Sequence, residues 1–384
     1  MQAIAHISKE ALGHNLSVVR MLAPQAKVLA MVKANAYGHG VQHCLEPFSE
    51  VDALGVAAID EAQTLRQLGW KKAIVVMEGC FSVEEWRLAA QQQFWPVLHH
   101  HSQIEQLKTL NLESSITVWV EIDTGMHRLG FLCEELAGVQ AELALMPQVQ
   151  VACWFSHFSD ADWLINPKTQ AQIERFSALE PLAELPKSFA NSAAIFSLPQ
   201  THHQWIRPGL MLYGVSPVWA NKTTQELGLK SAMCLKARVI ATRYVPASES
   251  VGYGSIWRAP SQGAWIATVS MGYGDGYPWR EAVRSQVEIH GHLLPIVGRV
   301  SMDMIVVDVT DIKGVHMGDE VVLIGRQGKQ EIKAGELATF SATTRVCAGW
   351  FFFPRCGIGA RNDCSLRRRI FRHRLNPQVR PSPG

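Results

Sequence analysis

Apolar positions fall into two regimes along this chain. As far as residue 155, short apolar runs recur at 28–32, 53–58, 73–77, 116–122 and 149–155, each bounded by polar or turn-forming residues. Runs of that length predict buried strands. Between them the spacing changes, as at Ile59, Ala62, Leu65 and Leu68, where intervals of three place the apolar side chains on one helical face. Strand and helix alternate over more than 200 residues, which predicts a parallel α/β domain long enough to close into a (β/α)8 barrel.

After about residue 226 the pattern shifts to β-branched runs broken by Gly and Pro, at 235–244, 264–271, 286–290, 304–309 and 320–324. Long helical patterns no longer separate them, which predicts a second, mostly β domain. The chain is expected to divide into a barrel over 1–225, a β domain over 226–343 and an atypical tail over 344–384. The first few residues are free to pair with the β domain.

Composition adds three constraints. With 384 residues, 47% of them hydrophobic and 18% charged, the chain is an enzyme-sized folded protein. The formal charge of +2 hides an asymmetry: residues 344–384 hold nine Arg and one Asp, which leaves 27 basic and 33 acidic residues in 1–343. That mildly acidic body gives no electrostatic support for nucleic-acid binding. The eight cysteines (44, 80, 133, 153, 234, 347, 356 and 364) form no CxxC pair, so they read as reduced thiols, and neither a disulfide frame nor a metal site is expected. Neither a signal peptide nor a membrane span is apparent, so a cytoplasmic protein is expected.

Lys33 stands where the run 28–32 gives out. The carboxyl ends of barrel strands are where catalysis is built, and a lysine whose amine is partly neutral can form a Schiff base there. On position alone it reads first as a surface lysine at a loop start.

Its neighbours change that. Ala30-Met31-Val32-Lys33-Ala34-Asn35-Ala36-Tyr37-Gly38-His39-Gly40 resembles the pyridoxal-phosphate signature of alanine racemases, in which the lysine carries the cofactor. Seven further matches follow in order. They are Asp123-Thr124-Gly125-Met126-His127-Arg128-Leu129-Gly130, Ser156-His157-Phe158, Ala190-Asn191-Ser192, Arg207-Pro208-Gly209-Leu210, Val251-Gly252-Tyr253-Gly254, Met271-Gly272-Tyr273-Gly274-Asp275-Gly276 and Gly298-Arg299-Val300-Ser301-Met302-Asp303.

The resemblance implies a (β/α)8 barrel followed by a β domain, assembled as a head-to-tail homodimer with shared active sites. It implies pyridoxal 5'-phosphate as cofactor and interconversion of L- and D-alanine, for peptidoglycan synthesis or D-alanine breakdown. Lys33 and Tyr253 are the implied catalytic pair, one on each face of the substrate. Arg207 is implied to meet the pyridine nitrogen, and His157 to link Arg207 to the tyrosine. Tyr37, Ser192 and the backbone of Gly209 and Leu210 are implied phosphate contacts, with Asn191 beside them, although Asn191-Ser192 also reads as a helix cap. Arg128 is implied to meet the substrate carboxylate, with Met302 and Asp303 closing the site from the second subunit.

Two departures stand out. Many family members carry a carbamate-modified lysine where this chain has Glu121, which is already anionic and suited to position Arg128, or which simply faces solvent. The family's closing tyrosine is missing, because the last tyrosine is Tyr277. From Thr344 the texture reads as a frame-shifted end. Two alternatives stay open: a barrel-type amino-acid decarboxylase, and a cofactor-binding remnant with impaired activity.

Overall fold

Eight parallel strands close into a barrel in chain order: Lys27–Met31, Ala53–Val56, Ala73–Val76, Phe94–Leu98, Ile116–Asp123, Val149–Phe155, Lys187–Asn191 and Trp205–Arg207. Closure comes where Trp205 pairs with Lys27 and Ile206 with Val28. This is a computed structural model, and it describes residues 3–110, 114–163, 165–179, 182, 184–218, 223–278, 285–328, 330–332 and 357–359. Three of these strands escape the apolar-run criterion. Phe94–Leu98 contains Pro96, Lys187–Asn191 mixes polar and apolar residues, and Trp205–Arg207 has only three residues.

Strand interiors fill the barrel. Leu29, Val75, Val97 and Phe155 are fully buried, and Trp119 packs edge-on against Trp205 with ring centroids 5.3 Å apart. Around the strands run helices such as Ile59–Gln67, which buries Ile59, Ala62 and Leu65, the face that the spacing predicts.

A second sheet is antiparallel and organised by one long strand, Met233–Val245. Its first half pairs with Ile4–Ile7 and with Glu320–Gln327, and its second half with Ala264–Val269. Gln286–Ile289 and His292–Val297 form a hairpin, and Ile305–Asp308 joins that hairpin to Ala264–Val269. The N-terminal strand therefore belongs to this sheet, while the helix that follows it, Lys9–Leu22, leads into the barrel. Gly357–Gly359 pairs in parallel with Ile4–His6, and the rest of the tail lies outside the described residues.

No helix among the described residues is long and apolar enough to cross a membrane. Among them Cys44, Cys80, Cys133, Cys153 and Cys234 are free thiols.

Candidate active site

The carboxyl ends of the barrel strands open onto a cavity of about 600 Å³. Its walls include Lys33, Tyr37, Glu121, Arg128, His157, Asn191, Ser192, Arg207, Gly209 and Leu210. A smaller cavity of about 300 Å³ lies at the amino ends, among Arg66, Lys71 and Lys72. Backbone carbonyls already engage its cations: Arg66 donates to Trp70 and Lys72 at 2.8 Å each, and Lys72 to Ser49 at 2.7 Å.

Lys33 is separated from the end of the first barrel strand by Val32 alone and begins an unusual turn. Ala34, Asn35, Ala36 and Tyr37 have φ of 52, 53, 57 and 49°, four consecutive non-glycine residues in the left-handed region. Each costs about 1–2 kcal/mol relative to ordinary backbone, so the surroundings must hold the turn. They do so from several sides. The Glu61 carboxylate accepts from Ala34 N at 2.6 Å, and the Asn35 side chain accepts from Val41 N at 2.9 Å. His39, which is buried, donates from Nδ1 to the carbonyls of Tyr37 at 3.0 Å and Ala36 at 3.2 Å. Its ring lies 4.6 Å from that of Tyr213, and Tyr37 stacks on the same tyrosine at 5.0 Å. Burial holds the Lys33 ammonium below its ordinary pKa and cationic Arg128 adds to the effect, while Glu61 and Glu78 oppose it. The neutral amine is correspondingly favoured.

Arg207 ends the last barrel strand and is 3% exposed. It donates to Ser188 Oγ and to the Ser156 carbonyl at 2.7 Å each, and its guanidinium lies 4.8 Å from the Phe155 ring centroid. A second donation from the same nitrogen reaches His157 Nδ1 at 3.2 Å. Burial lowers the Arg207 pKa to about 10, which leaves it charged at neutral pH. Burial and the nearby Arg207 charge hold His157 well below the usual imidazole range. Because Nδ1 accepts, the proton of the neutral ring sits on Nε2.

Tyr37, Ser192 and Gly209 form one corner of the cavity. A side-chain carbon at Gly209 would sit 2.6 Å from the Tyr37 hydroxyl, so only glycine leaves that hydroxyl its place. Gly209 N–H donates to Ser192 Oγ at 2.8 Å, which commits one of the expected backbone donors to the serine. Asn191 caps the helix Ser192–Ser197 by accepting from Ala193 N and Ala194 N at 3.1 Å each. Burial pushes the Tyr37 phenol up to about 12, so it remains a donor.

Arg128 is carried by a loop that Asp123 organises. The Asp123 carboxylate accepts from Gly125 N at 2.8 Å and His127 N at 3.0 Å, and pairs with His127 Nδ1 at 2.8 Å. Glu121 lies on the same strand, 5% exposed, on the cavity wall and not facing solvent. Burial raises its pKa, while Arg128 and Arg207 favour the ionised form.

Three expected site residues lie elsewhere. Tyr253 is 70% exposed and Met302 46% exposed, and neither they nor Asp303 line the cavity of their own chain. They occupy one apex of the β domain. Gly274 N donates to the Met302 carbonyl at 2.8 Å, and a side-chain carbon at Gly254 would lie 3.3 Å from the Arg299 guanidinium, so the three loops bearing Tyr253, Tyr273 and Met302 cluster.

The residues that the motifs do not single out are Glu61, Ser188 and His39. His39 falls inside the motif at 30–40, which gives it no role of its own. Glu61 carried a weak signal, as an acid in the first turn of the helix after the second strand.

A family model described as the N-terminal domain of alanine racemase matches residues 7–217, and one described as its C-terminal domain matches 232–348. The chain belongs to the alanine racemase family. The C-terminal match runs past Thr344, the expected start of the tail, to Ala348. The chain is 42% identical over 327 residues to the alanine racemase of Haemophilus influenzae, covering 85% of this chain and 90% of that relative. The alanine racemase structure from Acinetobacter baumannii aligns with a TM-score of 0.87 at 38% identity, over 94% of this chain and 99% of that one. A third, from Bartonella henselae, has covalently bound pyridoxal phosphate; it aligns with a TM-score of 0.84 at 28% identity, over 94% and 99% of the two chains. These relatives are isomerases, and the barrel with its antiparallel domain is their fold.

Proposed function

We propose that this chain interconverts L- and D-alanine with pyridoxal 5'-phosphate attached to Lys33, and that it works as a homodimer whose partner subunit completes each site. The observation that carries the reading is the convergence of Lys33, Arg207 and neutral His157 on one cavity at the carboxyl end of the barrel. The cofactor fits these walls. Gly209 leaves the Tyr37 hydroxyl free of a side-chain clash in a corner that Ser192 shares, which suits a phosphate. Arg207, buried and charged, suits an unprotonated ring nitrogen as a donor that keeps its proton.

When bound, pyridoxal phosphate supplies an electron sink that acidifies the α-hydrogen of an amino acid. The protein's task is to move a proton between faces. Racemisation requires a base on one face and an acid on the other. Lys33 Nζ, favoured in its neutral form, takes or returns the proton on one side. Tyr253 of the partner subunit serves the other. His157, anchored by Arg207 through Nδ1, offers Nε2–H to the tyrosine and so steadies its oxygen. Arg128 receives the substrate carboxylate, with Glu121 as the anionic neighbour that sets its direction, in place of a modified lysine. Met302 and Asp303 of the partner subunit narrow the entrance.

Supply of D-alanine for the cell wall or its degradation, in the cytoplasm, follows from the same reading, as does the division at about residue 225 between barrel and β domain. The full chain with added pyridoxal 5'-phosphate should abolish the optical rotation of L-alanine. Release of carbon dioxide instead would make it a decarboxylase, and neither result would leave a cofactor-binding remnant.

The tail bears on how well the site works. Nine arginines in residues 344–384, and no tyrosine beyond Tyr277, fit a frame-shifted end, which would remove one phosphate contact and weaken cofactor binding by about one to two decades. Reading the coding DNA in its other two frames should reveal a tyrosine-bearing ending within about twenty codons of Ser341. A tyrosine in neither frame would make the tail this protein's own.

A further inference from the structure

The left-handed turn after Lys33 is held by a residue that belongs to a different βα unit. Glu61 sits in the first turn of the helix after the second barrel strand, half-buried on the cavity wall. One carboxylate oxygen accepts from Ala34 N at 2.6 Å, and the other accepts from Ala57 N at 2.7 Å. Both oxygens are thus engaged by backbone, one from each of two neighbouring loops. Ala34 is the residue next to Lys33 and the first of the four left-handed positions.

We infer that Glu61 is a positioning residue: by tying the loop after the first strand to the loop after the second, its carboxylate fixes where Lys33 begins and where the amine points. This rests on the reading of Lys33 as the cofactor-bearing residue. A neutral side chain of the same shape would lose one of the two bonds, because an amide presents an acceptor on one side only. Glu61 acts on Lys33 in a second way, through charge. The groups that face the amine are the cations Arg128 and Arg207, the carboxylates Glu61, Glu78 and Glu121, and neutral His157. Glu61 favours the ammonium and Arg128 opposes it. The clamp therefore orders the turn at some cost to the neutral amine, and burial with Arg128 offsets that cost.

The two effects have opposite signatures, and this makes the role testable. In Glu61→Gln, loss of the charge by itself lowers the pH at which Lys33 becomes reactive. Loosening of the turn, as one of the two backbone bonds is given up, exposes Lys33 to water and raises that pH toward the ordinary lysine value. The measurement is competitive acetylation of the full chain by acetic anhydride, after hydroxylamine has stripped any bound carbonyl compound, with the Lys33 peptide quantified by mass spectrometry across pH. We expect the Lys33 midpoint to rise in Glu61→Gln, where the lost backbone bond loosens the turn, and the affinity for pyridoxal 5'-phosphate, read by tryptophan quenching, to drop about tenfold or more in Glu61→Ala. A midpoint that stays put or falls in Glu61→Gln, the mark of charge acting alone, or an unaltered affinity in Glu61→Ala, overturns the inference. Should Glu61→Ala not fold, Glu61→Gln decides alone. Acetylation does not depend on the cofactor, so failure of the Lys33 reading shows separately, as borohydride fixing the cofactor to another lysine.

Discussion

The cavity at the barrel mouth and the apex of the β domain hold the two halves of one proposed site, and they are built in opposite ways. In the cavity, Arg207 is almost entirely buried, and three of its five N–H donors go to Ser188, Ser156 and His157. At the apex, Tyr253 is 70% exposed on a loop flanked by Gly252 and Gly254, both at positive φ. A general base must be held to within a fraction of an ångström to work. The cavity meets that demand within one chain. The apex does not, and a large aromatic left on a glycine-flanked loop gains a fixed position only by docking against another surface.

The sharpest way to break the contrast is to remove the lysine that the proposal assigns to the buried half. Lys33→Ala should cut racemisation by about 10⁴-fold or more and abolish the visible band of bound cofactor. Borohydride labelling of any other lysine in the native chain would detach the cavity from its assigned role.

Mixing tests the exposed half. Lys33→Ala and Tyr253→Phe should each be inactive, yet after random subunit exchange their mixture should regain about a quarter of native activity, because each mixed dimer carries one intact site. Verified exchange without recovery would put the tyrosine and lysine of one site in the same chain.

A smaller effect is expected at the cavity wall. Glu121→Gln removes the anion beside Arg128 while keeping its shape, so KM for alanine should rise about tenfold with little change in the cofactor band. An unchanged KM would reduce Glu121 to a buried carboxylate without a part in substrate binding.

The last concerns stability and leaves the chemistry of the site aside. Burial lowers the His39 pKa to about 4. A base whose folded pKa is depressed gives its full stabilisation above the unfolded value near 6.5 and loses it as pH falls toward 4. The amount at stake is on the order of 3 kcal/mol. Melting temperature should therefore fall between pH 6.5 and 4, and His39→Gln should start lower but lose less over that window. Parallel slopes for the two proteins would exclude His39 as the proton-linked group.

Much of this was legible in the sequence, and the exceptions share a cause. The run at 149–155 is the strand Val149–Phe155, and the runs at 28–32 and 116–122 match their strands to within a residue at either end. Those strands are buried on both faces, so hydrophobicity alone marks them. Trp205–Arg207 is invisible to that test because its last residue is a charged side chain that the barrel buries and satisfies with Ser188 and Ser156. The left-handed turn is hidden for a related reason. Ala34, Asn35 and Ala36 carry no local preference for positive φ, apart from a mild one at Asn35, and their conformation is imposed by Glu61 and His39. Local pattern reads what local energy decides, and at this site distant partners decide it.

The first strand carries a consequence for how the chain is made. Ile4–Ile7 emerges before the other described elements, but its antiparallel partner, Met233–Lys236, follows only after the whole barrel. At synthesis rates of about 5–20 residues per second, that edge waits roughly 10 to 50 s for its neighbour. During this interval a nascent chain can fold its barrel while carrying at its head an unpaired strand with hydrogen-bonding groups on both sides, open to the same strand of a neighbouring nascent chain. The polar side chains of Ser8, Lys9 and Glu10 directly after it, and the short length of the strand itself, limit that hazard. A fragment ending near residue 225 would keep the strand unpaired for good, and its solubility should improve when residues 1–7 are removed with it.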